Sequence, residues 1–125
     1  MGDAVARIVH WEICGPDTGG LKSFYGGLFG WEFESPEGFG DYHMASAEQA
    51  GLGGAVGGGN PEGIDLAAYV TLYVAVPDVD AHLARVEAGG GETVLPRTEI
   101  PGMVTYALFR DPAGNMIGLV EDTAG

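Results

Sequence analysis

His10 and Glu12 stand two residues apart in VARIVHWEICG, a segment whose apolar alternation reads as a β-strand. Side chains at that spacing leave one face of a strand, so an imidazole and a carboxylate project together. Such a pair can exchange protons with a substrate as general base and acid. With further donors it can also hold a metal ion. The segment YVTLYVAV (69–76) sets Tyr69, Thr71 and Tyr73 on one face. Its other face, Val70, Leu72, Val74 and Val76, is uniformly apolar and suits packing under a helix. MVTYALFR (103–110) places Tyr106 and Leu108 on one face with Val104 and Arg110, although both of its faces are largely apolar. FGDYHMAS (39–46) adds Tyr42 and Met44. Tyrosines and a histidine on otherwise apolar strands describe an aromatic-walled pocket with a few polar anchors.

The elements that must carry these residues repeat. Residues 5–35 and 69–95 each run as an apolar strand ending at Pro-Asp, then a helical stretch that stops at glycine. Asp17 and Asp78 are the expected N-caps, since a carboxylate accepts the unpaired N–H groups of a first turn. Leu21, Phe24, Tyr25 and Leu28, and then Val79, Leu83 and Val86, recur at helical spacing. Gly30 and Gly89-Gly90-Gly91 supply the stops. Short strands follow at 31–34 (WEFE) and 92–95 (ETVL), then a strand pair in each half: 39–46 with 52–57, and 103–110 with 115–121. The expectation is one α+β domain over 1–125, built of two βαβββ modules at about 4–57 and 69–122 with a turn-rich linker at 58–68.

Composition narrows the function. Eighteen acidic residues against five basic ones give a formal charge of −13, which repels phosphate backbones and anionic membrane surfaces. An acidic rim would favour a cationic ligand. No apolar run approaches the roughly 20 residues of a membrane span, and the first ten residues do not read as a secretory signal. A cytoplasmic protein with a small-molecule partner, and neither nucleic acid nor membrane as partner, is expected. The single cysteine, Cys14, excludes an internal disulfide and reads as a packed small residue.

HWEICGPD with the following FYGGLFGWEF, YVAVPDVDAHLARVEAGGGE, and FRDPAGNMIGLVED together resemble the vicinal oxygen chelate superfamily of glyoxalases, bleomycin-resistance proteins and extradiol dioxygenases. The resemblance covers almost the whole chain. It implies paired βαβββ modules forming an eight-stranded, cupped mixed sheet with helices on the outer face, often completed in a homodimer. It also implies a divalent metal held by histidine and carboxylate side chains of the inner face.

Carried over residue by residue, that metal site is depleted. His10 matches the first-strand ligand, seven residues before Asp17. The same count back from Asp78 gives Thr71, and the last-strand position, three beyond the Asn of D-P-A-G-N, is Gly118. The remaining position falls within 52–56, which holds no carboxylate. One imidazole binds a divalent ion weakly. Glu121 has the wrong strand parity to replace Gly118, His43 lies on a strand of unfixed register, and His82 reads as a surface residue. No metal and no other cofactor is therefore expected. His10 and Glu12 remain as acid–base candidates, and Tyr42, Met44, Tyr69, Thr71, Tyr73, Tyr106, Leu108 and Gly118 as ligand-facing positions. The leading reading is a binding protein that sequesters a hydrophobic or aromatic small molecule. The alternative is a metal-independent isomerase, cyclase or lyase using His10 and Glu12; a metal-dependent glyoxalase or dioxygenase ranks last. Arg110 is expected in an ion pair at its strand end.

Overall fold

The computed structural model describes residues 5–37, 41–57 and 68–122. The expected linker, apart from residue 68, and the start of the strand expected at 39–46 lie outside these residues. The chain groups into two units, His10–Thr71 and the remainder, with the divisions falling inside the first and fourth strands.

The His10–Thr71 unit contains most of β1 (Arg7–Cys14), then α1 (Thr18–Phe29), β2 (Tyr42–Ala45), a short α2 (Ala47–Ala50) and β3 (Gly54–Gly57). Its strands lie in the order β2-β3-β1, with β3 parallel to β1 and antiparallel to β2. The other unit contains most of β4 (Tyr69–Val76), then α3 (Val79–Ala88), β5 (Glu92–Ile100), β6 (Val104–Arg110) and β7 (Met116–Glu121). Here the order is β4-β7-β6-β5, with β7 parallel to β4 and the other pairs antiparallel. Each unit is thus a mixed sheet with helix, and the repeated α+β plan holds.

Both long helices start as the sequence requires. Asp17 Oδ1 accepts the Gly20 N–H at 2.9 Å, and Asp78 Oδ1 accepts that of Ala81 at 3.0 Å. α1 ends at Gly30, whose φ of +76° is the left-handed conformation glycine adopts cheaply. Val79 and Leu83 bury against Val76, Ala107 and Leu119, with Val74 and Phe109 packed alongside. This core fixes a point that periodicity left open: Ala107 and Phe109 face α3, so Tyr106 and Leu108 take the opposite face.

Three expectations need correction. Seven strands, not eight, are present among the described residues, because WEFE at 31–34 pairs only through Glu34, which exchanges backbone hydrogen bonds with Met44. Trp31 and Phe33 are drawn into an aromatic cluster instead, with Trp31 5.0 Å from Phe29 and 5.3 Å from Trp11 between ring centroids. The expected apolar faces are also only partly covered: Phe24 and Leu28 of α1, and Val70 and Leu72 of β4, are exposed. α3 covers the C-terminal half of β4 and leaves those two residues out. Arg110, finally, makes no ion pair among the described residues but donates to the Gly114 carbonyl at 3.0 Å. Two smaller differences are α2, capped by Ser46, and a β5 that runs on to Ile100 through register shifts around Pro96.

The D-P-A-G-N turn is held by one carboxylate. Asp111 accepts the N–H groups of Ala113 and Asn115 and the Asn115 side-chain amide, each at 2.9 Å. These bonds, that of the Asn115 side chain foremost, hold its pKa below the usual value. Glu121 is lowered too, chiefly by the Arg97 guanidinium at 2.9 Å and then by the Val79 N–H. A depressed folded-state pKa stabilises fully above the unfolded value, and that contribution drains away as pH falls through the folded one. Acid titration followed by circular dichroism should therefore show Asp111→Ala losing less stability than the parent as pH falls below about 4. Parallel acid limbs for the two proteins would contradict this.

Candidate functional site

Within the His10–Thr71 unit, strand pairing sets two rows across one face. Glu12, Ala55 and Met44 form one row; Cys14, Gly57 and Tyr42 form the next. Trp11, on the other side of β1, belongs to the aromatic cluster. His43 pairs with Val56, and Val56 with Ile13, so His43 also belongs to that opposite side. Its Nδ1 lies 2.6 Å from the Ser35 hydroxyl. The register that the sequence left open thus separates His43 from His10.

His10, Tyr42 and Glu12 are joined. The Tyr42 hydroxyl donates to Glu12 Oε2 at 2.7 Å and stands 2.5 Å from His10 Nε2. A phenol has one proton to give. With that proton donated toward the Glu12 carboxylate, the bond to His10 requires Nε2–H to donate to the phenol oxygen, the tautomer whose basic atom is Nδ1. Cys14 Sγ approaches Glu12 Oε1 at 3.8 Å and also interacts with Tyr69. The chain of contacts therefore runs His10–Tyr42–Glu12–Cys14–Tyr69.

Burial sets the charge of these groups. It lowers the His10 pKa, against a smaller opposing pull from Glu12, so the imidazole is neutral at pH 7. Burial, then the Glu12 charge and hydrogen bond, push the Tyr42 phenol far above its ordinary range. Burial likewise raises the Cys14 thiol to about 11, so it is a protonated packing residue rather than a nucleophile. Thr71, on the same face of β4 as Tyr69, is fully buried, and its hydroxyl has no hydrogen-bond partner among the described residues.

The remaining candidates lie in the other unit. Tyr73 pairs with Gly118, and Gly118 with Leu108, while the Tyr73 and Tyr106 rings lie 6.4 Å apart. A Cβ at Gly118 would strike the Tyr73 ring. Gly118 is therefore covered by Tyr73 instead of facing a ligand. The reason is steric: an aromatic ring can lie flat on a strand only where the neighbouring residue has no side chain.

A metal does not fit these residues. The last-strand ligand position is filled by a tyrosine ring. Ala55 stands in the row between Glu12 and Met44, His10 Nε2 is engaged by Tyr42, and Glu12 by Tyr42 and Cys14. Among the described residues no three histidine, cysteine, aspartate or glutamate side chains converge. Glu121, the other acid near that strand end, is committed to Arg97 and the start of α3.

The bond network had one legible signal, the two-residue spacing of His10 and Glu12. That Tyr42 would bridge them required the β2–β3 register.

The family model of the Glyoxalase/Bleomycin resistance protein/Dioxygenase superfamily matches residues 7–119. CFP32 of Mycobacterium tuberculosis (strain CDC 1551 / Oshkosh), named as a glyoxylase, is 34% identical over 108 residues, 82% of this chain and 41% of that protein. The anthracycline biosynthesis protein DnrV of Streptomyces peucetius is 32% identical over 117 residues, 82% of this chain and 42% of that protein. The chain thus matches about two fifths of the length of these curated relatives. Among solved structures, methylmalonyl-CoA epimerase from Mycobacterium tuberculosis superposes with a TM-score of 0.62 at 17% identity, over 93% of this chain and 87% of that one. A superfamily member from Vibrio splendidus 12B01 gives 0.63 at 18%, over 94% and 100%. Likeness at that identity speaks for the fold alone. No helix among the described residues is long and apolar enough to cross a membrane.

Two outcomes follow from the packing. Gly118→Ala should cost about 1–3 kcal/mol in chemical denaturation, the usual penalty of overpacking; a loss below 0.5 kcal/mol, on the order of an ordinary surface change, would remove the tyrosine-over-glycine constraint. Protein purified without chelator or metal-affinity tag, then dialysed against Zn, Mn or Ni salts, should retain no stoichiometric metal by elemental analysis. One equivalent per chain would overturn the depleted site.

Proposed function

Because the chain belongs to the glyoxalase/bleomycin resistance protein/dioxygenase superfamily, we propose that it binds a planar, oxygen-bearing aromatic small molecule without a metal. The observation that carries this reading is the His10–Tyr42–Glu12 hydrogen-bonded chain, which fixes polar atoms on a face that also holds Tyr69 and Met44. Anchors held in place by one another recognise a ligand without first losing freedom of their own. The Streptomyces relative named for anthracycline biosynthesis favours polycyclic phenols and quinones as the ligand class. The charge of −13 favours neutral or amine-bearing members over anionic ones.

A second reading rests on the same bonds. A neutral His10 with Nδ1 as its basic atom can take a proton from carbon beside a carbonyl and return it at a neighbouring atom. The balance is an isomerisation, with no proton gained or lost overall.

Titration with a dihydroxyanthraquinone, read by fluorescence and by thermal shift, tests the first reading; incubation in D2O with a hydroxytetralone, which carries hydrogens on the carbon beside its carbonyl, tests the second. A binder saturates, gains stability, and returns the compound unchanged by mass spectrometry. Tyr42→Phe should then weaken binding about tenfold, as the loss of one buried hydrogen bond does. Deuterium incorporation beside the tetralone carbonyl that His10→Ala abolishes would select the isomerase. No saturable binding across a set of planar hydroxyquinones would sink the binding reading.

A further inference from the structure

Ser35 and His43 form a pair that the His10 face does not use. Glu34 opposes Met44 in antiparallel register and exchanges both backbone bonds with it, at 2.9 Å and 2.6 Å. The next positions along the two segments, Ser35 and His43, therefore oppose each other. Their side chains meet: the Ser35 hydroxyl lies 2.6 Å from His43 Nδ1. His43 is half-buried and pairs with the fully buried Val56, whereas Ser35 is exposed. The imidazole is thus backed by the sheet, and the hydroxyl meets solvent. Pro36 follows, and without an N–H it cannot continue the backbone pairing past Ser35. The chain has two other serines, Ser23 on α1 and Ser46, whose hydroxyl accepts the Gln49 N–H at the cap of α2. Among the described residues, Ser35 is the serine set against a histidine.

We propose that Ser35 is a nucleophile with His43 as its general base, and that it takes an acyl group from neutral, activated esters. A serine hydroxyl is a weak nucleophile until an adjacent base removes its proton, and that transfer needs a reach of roughly 2.6–3.2 Å. The bond points the way the proton must leave: the Ser35 O–H donates to a bare Nδ1, and Nε2 keeps the ring's own proton. In the step, Ser35 Oγ bonds to the ester carbonyl carbon while His43 Nδ1 takes the hydroxyl proton. The bond from that carbon to the leaving oxygen then breaks, and the phenol or alcohol departs with the proton. An O-acyl serine remains. The substrate class follows from charge, since a chain at −13 with Glu34 and Glu37 flanking the serine turns away anionic donors. Register keeps this pair apart from the other candidate site: Met44 shares a row with Glu12, and His43 belongs to the opposite side of the sheet.

The test treats the full chain with a fluorophosphonate probe, and separately with 4-nitrophenyl acetate, and maps the adducts by mass spectrometry. Ser35 should be modified well ahead of Ser23 and Ser46, with nitrophenolate released in step with its acetylation. Ser35→Ala should remove the serine adduct. His43→Gln should slow modification of Ser35 by about a hundredfold, the usual contribution of a general base. The comparison of Ser35 with Ser23 within the parent needs no substitution, so it decides even where His43→Gln disturbs folding. No adduct on Ser35, modification of Ser23 or Ser46 at the same rate, or a folded His43→Gln that reacts as fast as the parent would each overturn the assignment.

Discussion

Aromatic rings lying on strand glycines are the constraint on which the rest of this protein depends. Trp11 lies over Gly54, Tyr42 over Gly57 and Tyr73 over Gly118; in each case a Cβ on the glycine would strike the ring, at 2.9 Å for Tyr42. A tyrosine or tryptophan buries a large area in this pose and stays rigid. The glycines make it sterically available at the cost of backbone entropy in the unfolded chain. Tyr42 shows what this achieves. With its ring seated on Gly57, the hydroxyl is delivered between His10 and Glu12, two strands away in the β2-β3-β1 order. The seat and the hydrogen bonds reinforce one another.

Burial then decides protonation. Desolvation is the largest influence on His10, Tyr42 and Cys14, and in each it disfavours the charged form. The face is therefore one of neutral donors gathered around the Glu12 carboxylate. Hydrogen bonds to a carboxylate are stronger than those between neutral groups. Tyr42, which donates to Glu12, is therefore the best-held member of the chain. Thr71 is the counter-example, a buried hydroxyl with no hydrogen-bond partner among the described residues.

The sequence was most legible where local rules act alone. Asp17, Asp78 and Gly30 marked helix ends through cap chemistry, and D-P-A-G-N marked a turn through the side-chain bonds of Asp111. It was least legible where aromatic contacts compete with backbone pairing. WEFE has the alternation of a strand, but Trp31 lies among Tyr25, Phe29 and Trp11, Phe33 packs edge-on against Trp31, and among the described residues only Glu34 remains paired. The candidate site was legible as residue types and parity. His10 and Glu12 followed from two-residue spacing, whereas the bridging role of Tyr42 and the exclusion of His43 depended on the register of β2 against β3. The exposure of Phe24 and Leu28 could not be read from helical period, which marks an apolar stripe and says nothing about what covers it.

Gly118 has a different meaning in the structure from the one its position suggests. Read along the chain, it is a ligand position that lost its carboxylate, as though one substitution could restore it. In space, Gly118 and Tyr73 form a single packing unit: a glutamate at 118 would drive its Cβ into the tyrosine ring, and removing the ring would leave a cavity in a face where Leu108 is fully buried. Ligating chemistry at this strand therefore requires two coupled changes, each destabilising alone. The tyrosine is held there by packing, and that packing does not depend on a ligand at position 118.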